Sequence, residues 1–307
     1  QTAPGVLRIL CDDPMLIADG QTYLTAPNGT RIEIAALAPP VVMPPVAHEF
    51  VMRRMADQAP WVIGRAGMHY RDLIPSRLGV SIIASHIRIP GGGPVPDMVH
   101  FHSVGFQLIY CYKGWVDLVY EDQGPPFRLE AGNCVIQPPE IRHRVLFASE
   151  DLEVIEIGVP AEHITTIDHD MDLPNEHIRP DRLFEGQRFV HYKANETEWR
   201  PFRLPGFVAR DTMICANTGA VAGVQVVKPG PGSPVWARHT SDIHFTFVLN
   251  GQLTLQSKAQ AAQTLVAGDA FVIPPDMACL YSAPSEDLEL LEVSLPGDFE
   301  THLEDSV

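Results

Sequence analysis

The segment Ser149-Glu150-Asp151-Leu152-Glu153-Val154-Ile155-Glu156 returns later in the chain as Ser285-Glu286-Asp287-Leu288-Glu289-Leu290-Leu291-Glu292. At the same spacing Gly132 matches Gly268, and Val135-Ile136 before Pro138-Pro139 is echoed by Val272-Ile273 before Pro274-Pro275. Further upstream the spacing widens by one residue, pairing Gly114 with Gly251 and His102 with His239. One residue gained or lost in a hairpin accounts for that shift. The chain therefore holds two copies of one unit of about 100 residues, a normal domain size. The first copy runs from about Gly67 to Glu162 and the second from about Pro201 to Glu300.

Each copy reads as short strands. Leu108–Tyr112, Trp115–Tyr120 and Leu152–Ile157 are rich in β-branched and aromatic residues and are bounded by turn residues. In the second copy Phe245–Leu249 turns at Asn250-Gly251 into Gln252–Leu255, a hairpin signature. The chain has 28 prolines and 23 glycines scattered along its length, as many strands joined by tight turns require. The expected class is all-β. The expected organisation is an N-terminal arm over 1–66, a first domain over 67–164, a polar connector over 165–198 and a second domain over 199–307. Pro39-Pro40 and Pro44-Pro45 punctuate the arm, and Glu49 to Gln58 is read as a short helix.

Charge and cysteines narrow the function. With 22 basic against 38 acidic residues the net charge is −16, which repels phosphate backbones and argues against nucleic-acid binding. No apolar run reaches the roughly 18 residues that suggest a membrane-spanning helix. Cys11, Cys111, Cys134, Cys215 and Cys279 are odd in number and contain no CxxC, so neither a disulfide framework nor a zinc knuckle is indicated. Reduced thiols and the lack of a signal-peptide pattern make a cytoplasmic location the expectation, with a trimmed N-terminus at Gln1.

The chemistry concentrates in His100-Phe101-His102, Gln107, Gly114, Gly132, Pro138 and His143. On a strand, residues two apart share a face, so His100 and His102 aim at one point with Phe101 turned away. His143, beyond a hairpin, can bring a third imidazole. Three neutral imidazoles suit zinc, iron, copper or nickel. By strand parity Ile109, Cys111 and Val145 share the inward face and are expected to wall the pocket. Arg88, with Arg142 and Arg144, is a candidate to bind a substrate carboxylate. The other histidines, His163 among them, show no ligand spacing.

This ordered set resembles the cupin superfamily, and its duplication resembles a bicupin, over about two-thirds of the chain. The family's first motif is a HxH pair, then Glu, then Gly; here it falls on His100, His102, Gln107 and Gly114. The second falls on Gly132, Pro138 and His143. The resemblance implies two double-stranded β-helix (jelly-roll) barrels and a divalent metal, with His100, His102 and His143 as ligands. Gln107 stands where the family usually has Glu. A neutral amide binds a cation more weakly than a carboxylate and leaves the metal's charge uncompensated, which would favour an anionic, chelating substrate. With three His and no carboxylate at the metal, the set resembles the cupins that include thiol, β-diketone and gentisate-type dioxygenases. The similarity thus implies a non-haem Fe(II) dioxygenase acting on a small carboxylate, β-diketone or phenolic, with Mn, Ni, Zn or Cu as other metals. The alternatives are a metal-dependent isomerase or lyase that uses no O2, and a non-catalytic binding cupin. In the second copy Ala237, His239, His244 and Cys279 replace the motif. This reads as a decayed site, or as a separate His239, His244, Cys279 centre for zinc or copper. Open sheet edges, and the pairing common among cupins, lead to the expectation of a homodimer.

Overall fold

The computed structural model describes residues 6–11, 23–36, 41–57, 60–64, 67–258 and 260–304. It is built almost wholly of strands, with short helical turns such as Arg77–Val80 and Ile214–Asn217. Residues 1–42 make one unit, in which Val6–Cys11 pairs parallel and Tyr23–Thr25 antiparallel with Arg31–Ala36. The second unit, 43–307, holds both repeats.

In the first repeat a seven-stranded sheet orders its strands as His191–Tyr192, Cys134–Ile136, Phe106–Lys113, Leu152–Val159, Ile83–Ile89, His69–Asp72 and Val62–Ile63. Facing it, a second sheet orders Phe127–Glu130, Trp115–Tyr120, His143–Ala148, His100–His102 and Thr165–Ile167, with Gly93–Pro94 beside His143–Ala148. The second repeat builds the same pair. Its seven strands are Val51–Arg53, Ala270–Val272, Ile243–Asn250, Glu289–Leu295, Gly223–Pro229, Phe207–Asp211 and Arg200–Pro201. Its facing sheet is Gln263–Val266, Gln252–Ser257, Cys279–Ser282, Trp236–His239 and Thr301–Glu304.

Period-two alternation divides the side chains of Phe106–Lys113 between two cores. Phe106, Leu108 and Tyr110 enter one continuous apolar layer with Val224, Phe245, Phe247 and Leu291 of the second repeat. Ile109 and Cys111 turn into the first barrel with Val116, Leu118 and Val154. A third cluster, with Leu253, Leu265, Phe271 and Tyr281, fills the second barrel. The seven-stranded sheets therefore pack face to face, and each fully buried large apolar side chain there contributes about 1.5–3 kcal/mol. One polar thread crosses this layer. The fully buried Arg71 donates to the Gly268 carbonyl at 2.7 Å and to His86 Nδ1 at 3.1 Å, and His86 Nε2 donates to Glu153 at 2.6 Å.

The repeat also explains its own turns. Gly114 and Gly251 sit at φ +72° and +68°, where a Cβ would strike Ser149 Oγ and Ser285 Oγ. Those serines each accept a backbone N–H, from Trp115 and Gln252, at 2.9 Å. The repeated Ser-Glu-Asp therefore closes a hairpin in both barrels.

Two expectations need correction. The described part of 49–58 is not a helix: Val51–Arg53 is a strand pairing with Ala270–Val272 of the second barrel, followed by the 3-10 turn Met55–Asp57. Cross-barrel pairing and the burial of Phe50 and Met52 against the second core override local helix propensity. The polar segment after Thr165 is also more than a connector, since His191–Tyr192 pairs with Cys134–Ile136 of the first barrel. Each barrel's seven-stranded sheet is thus edged by a strand from the segment that precedes the other barrel.

Candidate metal centre

Two strands of the facing sheet create the centre. His143 pairs directly with His100, while His102 lies two residues further on the same strand. The ring centroids of the three histidines lie 4.2–5.2 Å apart, and one ligand atom from each lies within 4.8 Å of the others. Their orientation is fixed from behind. His100 Nδ1 donates to the Met98 carbonyl at 2.8 Å, His143 Nδ1 to the Ile141 carbonyl at 2.9 Å, and His102 Nδ1 bonds Thr165 Oγ1 at 2.8 Å. A carbonyl can only accept, so Nδ1 of His100 and His143 carries the proton and Nε2 the lone pair, the tautomer a metal ligand needs; the Thr165 hydroxyl permits the same tautomer at His102. Asp97, which accepts the Val145 N–H at 2.9 Å, stands 3.7 Å from His100 Nδ1. Among the described residues this is the one cluster of three or more such groups suited to a metal.

Gln107 is buried on the neighbouring sheet. Its Nε2 donates to Glu156 at 2.8 Å, which turns Oε1 away from Glu156, and that oxygen is buried with no hydrogen-bond partner. Gln107 itself is not among the residues that line the cavity, so the fit to a divalent cation rests on the three convergent imidazoles. Glu156 is the residue that the sequence reading missed. It lines the cavity, so the premise that no carboxylate accompanies the three histidines does not hold. The signal was present in the repeat, because Glu156 and its counterpart Glu292 each end the recurring segment. His163 and Asp97 also line the cavity and were not singled out from spacing, because loops rather than a motif bring them there.

The cavity has a volume of about 280 Å³. Ile109 and Val145 line it as expected; Gln107, Cys111 and Arg88 do not. Cys111 is sealed in the barrel core, where burial pushes its thiol up to about 12. Arg88 falls on the opposite parity of Ile83–Ile89 and stacks over the Trp61 ring at 4.2 Å. Arg142 donates to Asp168 at 3.1 Å and to the Glu140 carbonyl at 3.0 Å, and neither it nor Arg144 reaches the cavity.

In the second barrel the equivalent centre is closed by a side chain. Arg203 donates to both oxygens of Glu292, at 2.6 and 2.7 Å, and to His244 Nε2 at 2.8 Å. A guanidinium thus provides the positive charge between His244 and Glu292, the counterparts of Gln107 and Glu156. Burial opposes ionisation of Glu292, but Arg203 and His244 outweigh it and hold its carboxyl well below the usual range. Burial, with His244 and Arg203 alongside, lowers His239 to about 3, and burial raises Cys279 to about 12. Cys279 is thereby kept as a neutral thiol, and His239, His244 and Cys279 do not assemble as a three-ligand cluster. The separate zinc or copper centre expected as one alternative is absent among the described residues.

Comparison with known proteins bears on this architecture. The model of the cupin domain family matches residues 223–294, inside the second barrel. Salicylate 1,2-dioxygenase from Pseudaminobacter salicylatoxidans superposes with a TM-score of 0.62 at 14% identity, over 86% of this chain and 91% of that one. By fold the chain is a bicupin. Oxalate decarboxylase from Lactobacillus farciminis resembles this bicupin with a TM-score of 0.59 at 13% identity, over 82% and 88% of the two chains. Protein Ylba from E. coli gives 0.59 at 14%, over 84% and 96%. Comparison with curated protein sequences returns no match. The described part of this bicupin contains no helix long and apolar enough to cross a membrane.

Proposed function

We propose that this bicupin is a metal-dependent enzyme whose single centre lies in the first barrel, and that it is a non-haem Fe(II) dioxygenase of a small chelating organic substrate. The carrying observation is the convergence of His100, His102 and His143, each with Nδ1 committed behind it. Three imidazoles gathered at one point in a partly buried cavity are a donor set suited to a divalent transition metal. A bound ferrous ion would supply the redox partner for O2 and a site for substrate oxygens. This chain's own residues then do the rest: aliphatic walls limit water, Thr165 and the Met98 and Ile141 carbonyls hold the imidazoles in place, and Gln107 holds Glu156 at the cavity wall. The similarity to a structure named as a dioxygenase accords with this reading.

A second reading has one observation in its favour. Glu156 offers a carboxyl group able to move a proton without O2, which suits a metal-dependent isomerase or lyase. Elemental analysis of untagged protein is expected to give near one equivalent of metal per chain, lost in His102→Ala while circular dichroism stays unchanged. An oxygen electrode separates the readings: substrate-dependent O2 uptake supports the dioxygenase, and turnover without it supports the isomerase or lyase.

A further inference from the structure

The cavity is polar at one end and hydrocarbon at the other, and the paired strands show how. Gln107 pairs with Gly158, Ile109 with Glu156, and Cys111 with Val154. On the other side Glu156 pairs with Ser85, Val154 with Ile87, and Leu152 with Ile89. Moving from Glu156 to Leu152 covers four residues, roughly 13 Å at about 3.3 Å each. Over that distance the lining changes from Glu156 and Ser85 to Val154, Ile87, Leu152 and Ile89. Across the barrel His143 faces Tyr120, while Val145 pairs with Leu118. Among the described residues no lysine or arginine lines the cavity, whereas two carboxyl groups, Glu156 and Asp97, do.

From this gradient we infer that the substrate is an oxygen chelator that arrives uncharged and carries a hydrocarbon tail. The inference rests on the first barrel being a metal site, and it replaces the anionic substrate expected from the sequence. A substrate carboxylate at the far end would be desolvated against aliphatic side chains, with no cation among the described lining residues to receive it. A highly anionic head would meet Glu156 and Asp97 as well as the metal. A neutral head with two oxygens needs neither compensation, and each methylene of its tail displaces water from Val154, Ile87, Leu152 or Ile89.

Calorimetric titration of zinc-loaded protein, which binds without O2 chemistry, tests this with three probes. Octane-2,4-dione has three methylenes more than pentane-2,4-dione and should bind about fiftyfold more tightly, at about 0.8 kcal/mol per buried methylene. The anion 5,7-dioxooctanoate, which matches the longer dione except for a terminal carboxylate, should bind no better than pentane-2,4-dione. Val154→Thr, nearly equal in size, should reduce the advantage of the long dione severalfold while leaving metal content and pentane-2,4-dione affinity in place. Equal binding of the two diones, or carboxylate-tail binding as tight as octane-2,4-dione, overturns the inference. Failure of all three probes to bind overturns its neutral-head half. These outcomes are separate from the reading of the centre itself, which fails on metal content or O2 uptake rather than on probe ranking.

Discussion

At the scale of single residues, Gln107 and Glu156 are best understood as one unit. Where a carboxylate might have faced the three histidines, the chain has an amide, and the carboxyl group sits one strand away, accepting a hydrogen bond from that amide at 2.8 Å. Gln107→Glu would remove the donor and set two carboxyl groups against each other, which favours protonation of one of them. The metal-free protein should lose about 1–3 kcal/mol. Metal should restore part of the loss, because the new carboxylate is a stronger ligand than the amide. Thermal melts with and without metal should therefore show a wider gap for the variant than for the parent; an equal drop in both states would remove Gln107 from the centre. In the second barrel Arg203→Ala leaves Glu292, 4% exposed, without its guanidinium partner. Removing one partner of a buried ion pair costs about 3–5 kcal/mol, and denaturant unfolding should show a loss of that order.

At the scale of elements, the exchange of edge strands makes a sharp prediction. Met52 pairs with Phe271 and packs against the second core. Phe271 turns its backbone groups toward Ile243–Asn250, so the neighbouring Val272 bonds the arm strand, and Val51→Pro, opposite Val272, removes a ladder donor that a paired strand does not lose easily. Hydrogen exchange in Ala270–Val272 should rise far more than in the equivalent strand Cys134–Ile136, whose edge partner is His191–Tyr192. The strands themselves were legible because alternation and repetition are local. His100, His102 and His143 were legible because a strand places residues two apart on one face and the repeat aligned the rest. The arm strand Val51–Arg53 was not legible, because three residues before the first repeat give no sign that their partner lies in the second. Glu156 was overlooked because in an acidic chain its recurrence as Glu292 reads as part of the repeat rather than as a site, and it is the pairing of Ile109 with Glu156 that marks it as inward. Arg88 misled because nearness to a ligand strand was read without its parity.

At the scale of the whole molecule, two barrels share one apolar layer, so the face by which separate barrels could pair is consumed within the chain. Any homodimer must use another surface, which light scattering against the 33.9 kDa of one chain would register. Buried histidines also set the response to acid. Burial lowers His239 to about 3 and His191 to about 4, so the folded chain keeps both neutral well below the ordinary value. Below about pH 6.5 the unfolded chain takes up protons that the folded one refuses, and stability falls as the pH drops toward those values. For His239 the loss at pH 5 is on the order of 2 kcal/mol. Melting temperatures should fall between pH 7 and pH 5, and His239→Leu should flatten that slope.

The crossing of the edge strands also sets a timetable for synthesis. Val51–Arg53 leaves the ribosome long before Ala270–Val272, its partner in the ladder, has been translated. At about 5–20 residues per second that delay is roughly 10–45 s. The first barrel, by contrast, has its edge strand as soon as His191–Tyr192 emerges. A nascent chain stalled before residue 270 would therefore hold a finished first barrel and an arm with an unpaired edge, a species for chaperones to shield. Cut between the barrels, the two halves would each carry the strip that closes the other, so they should mature only when made together.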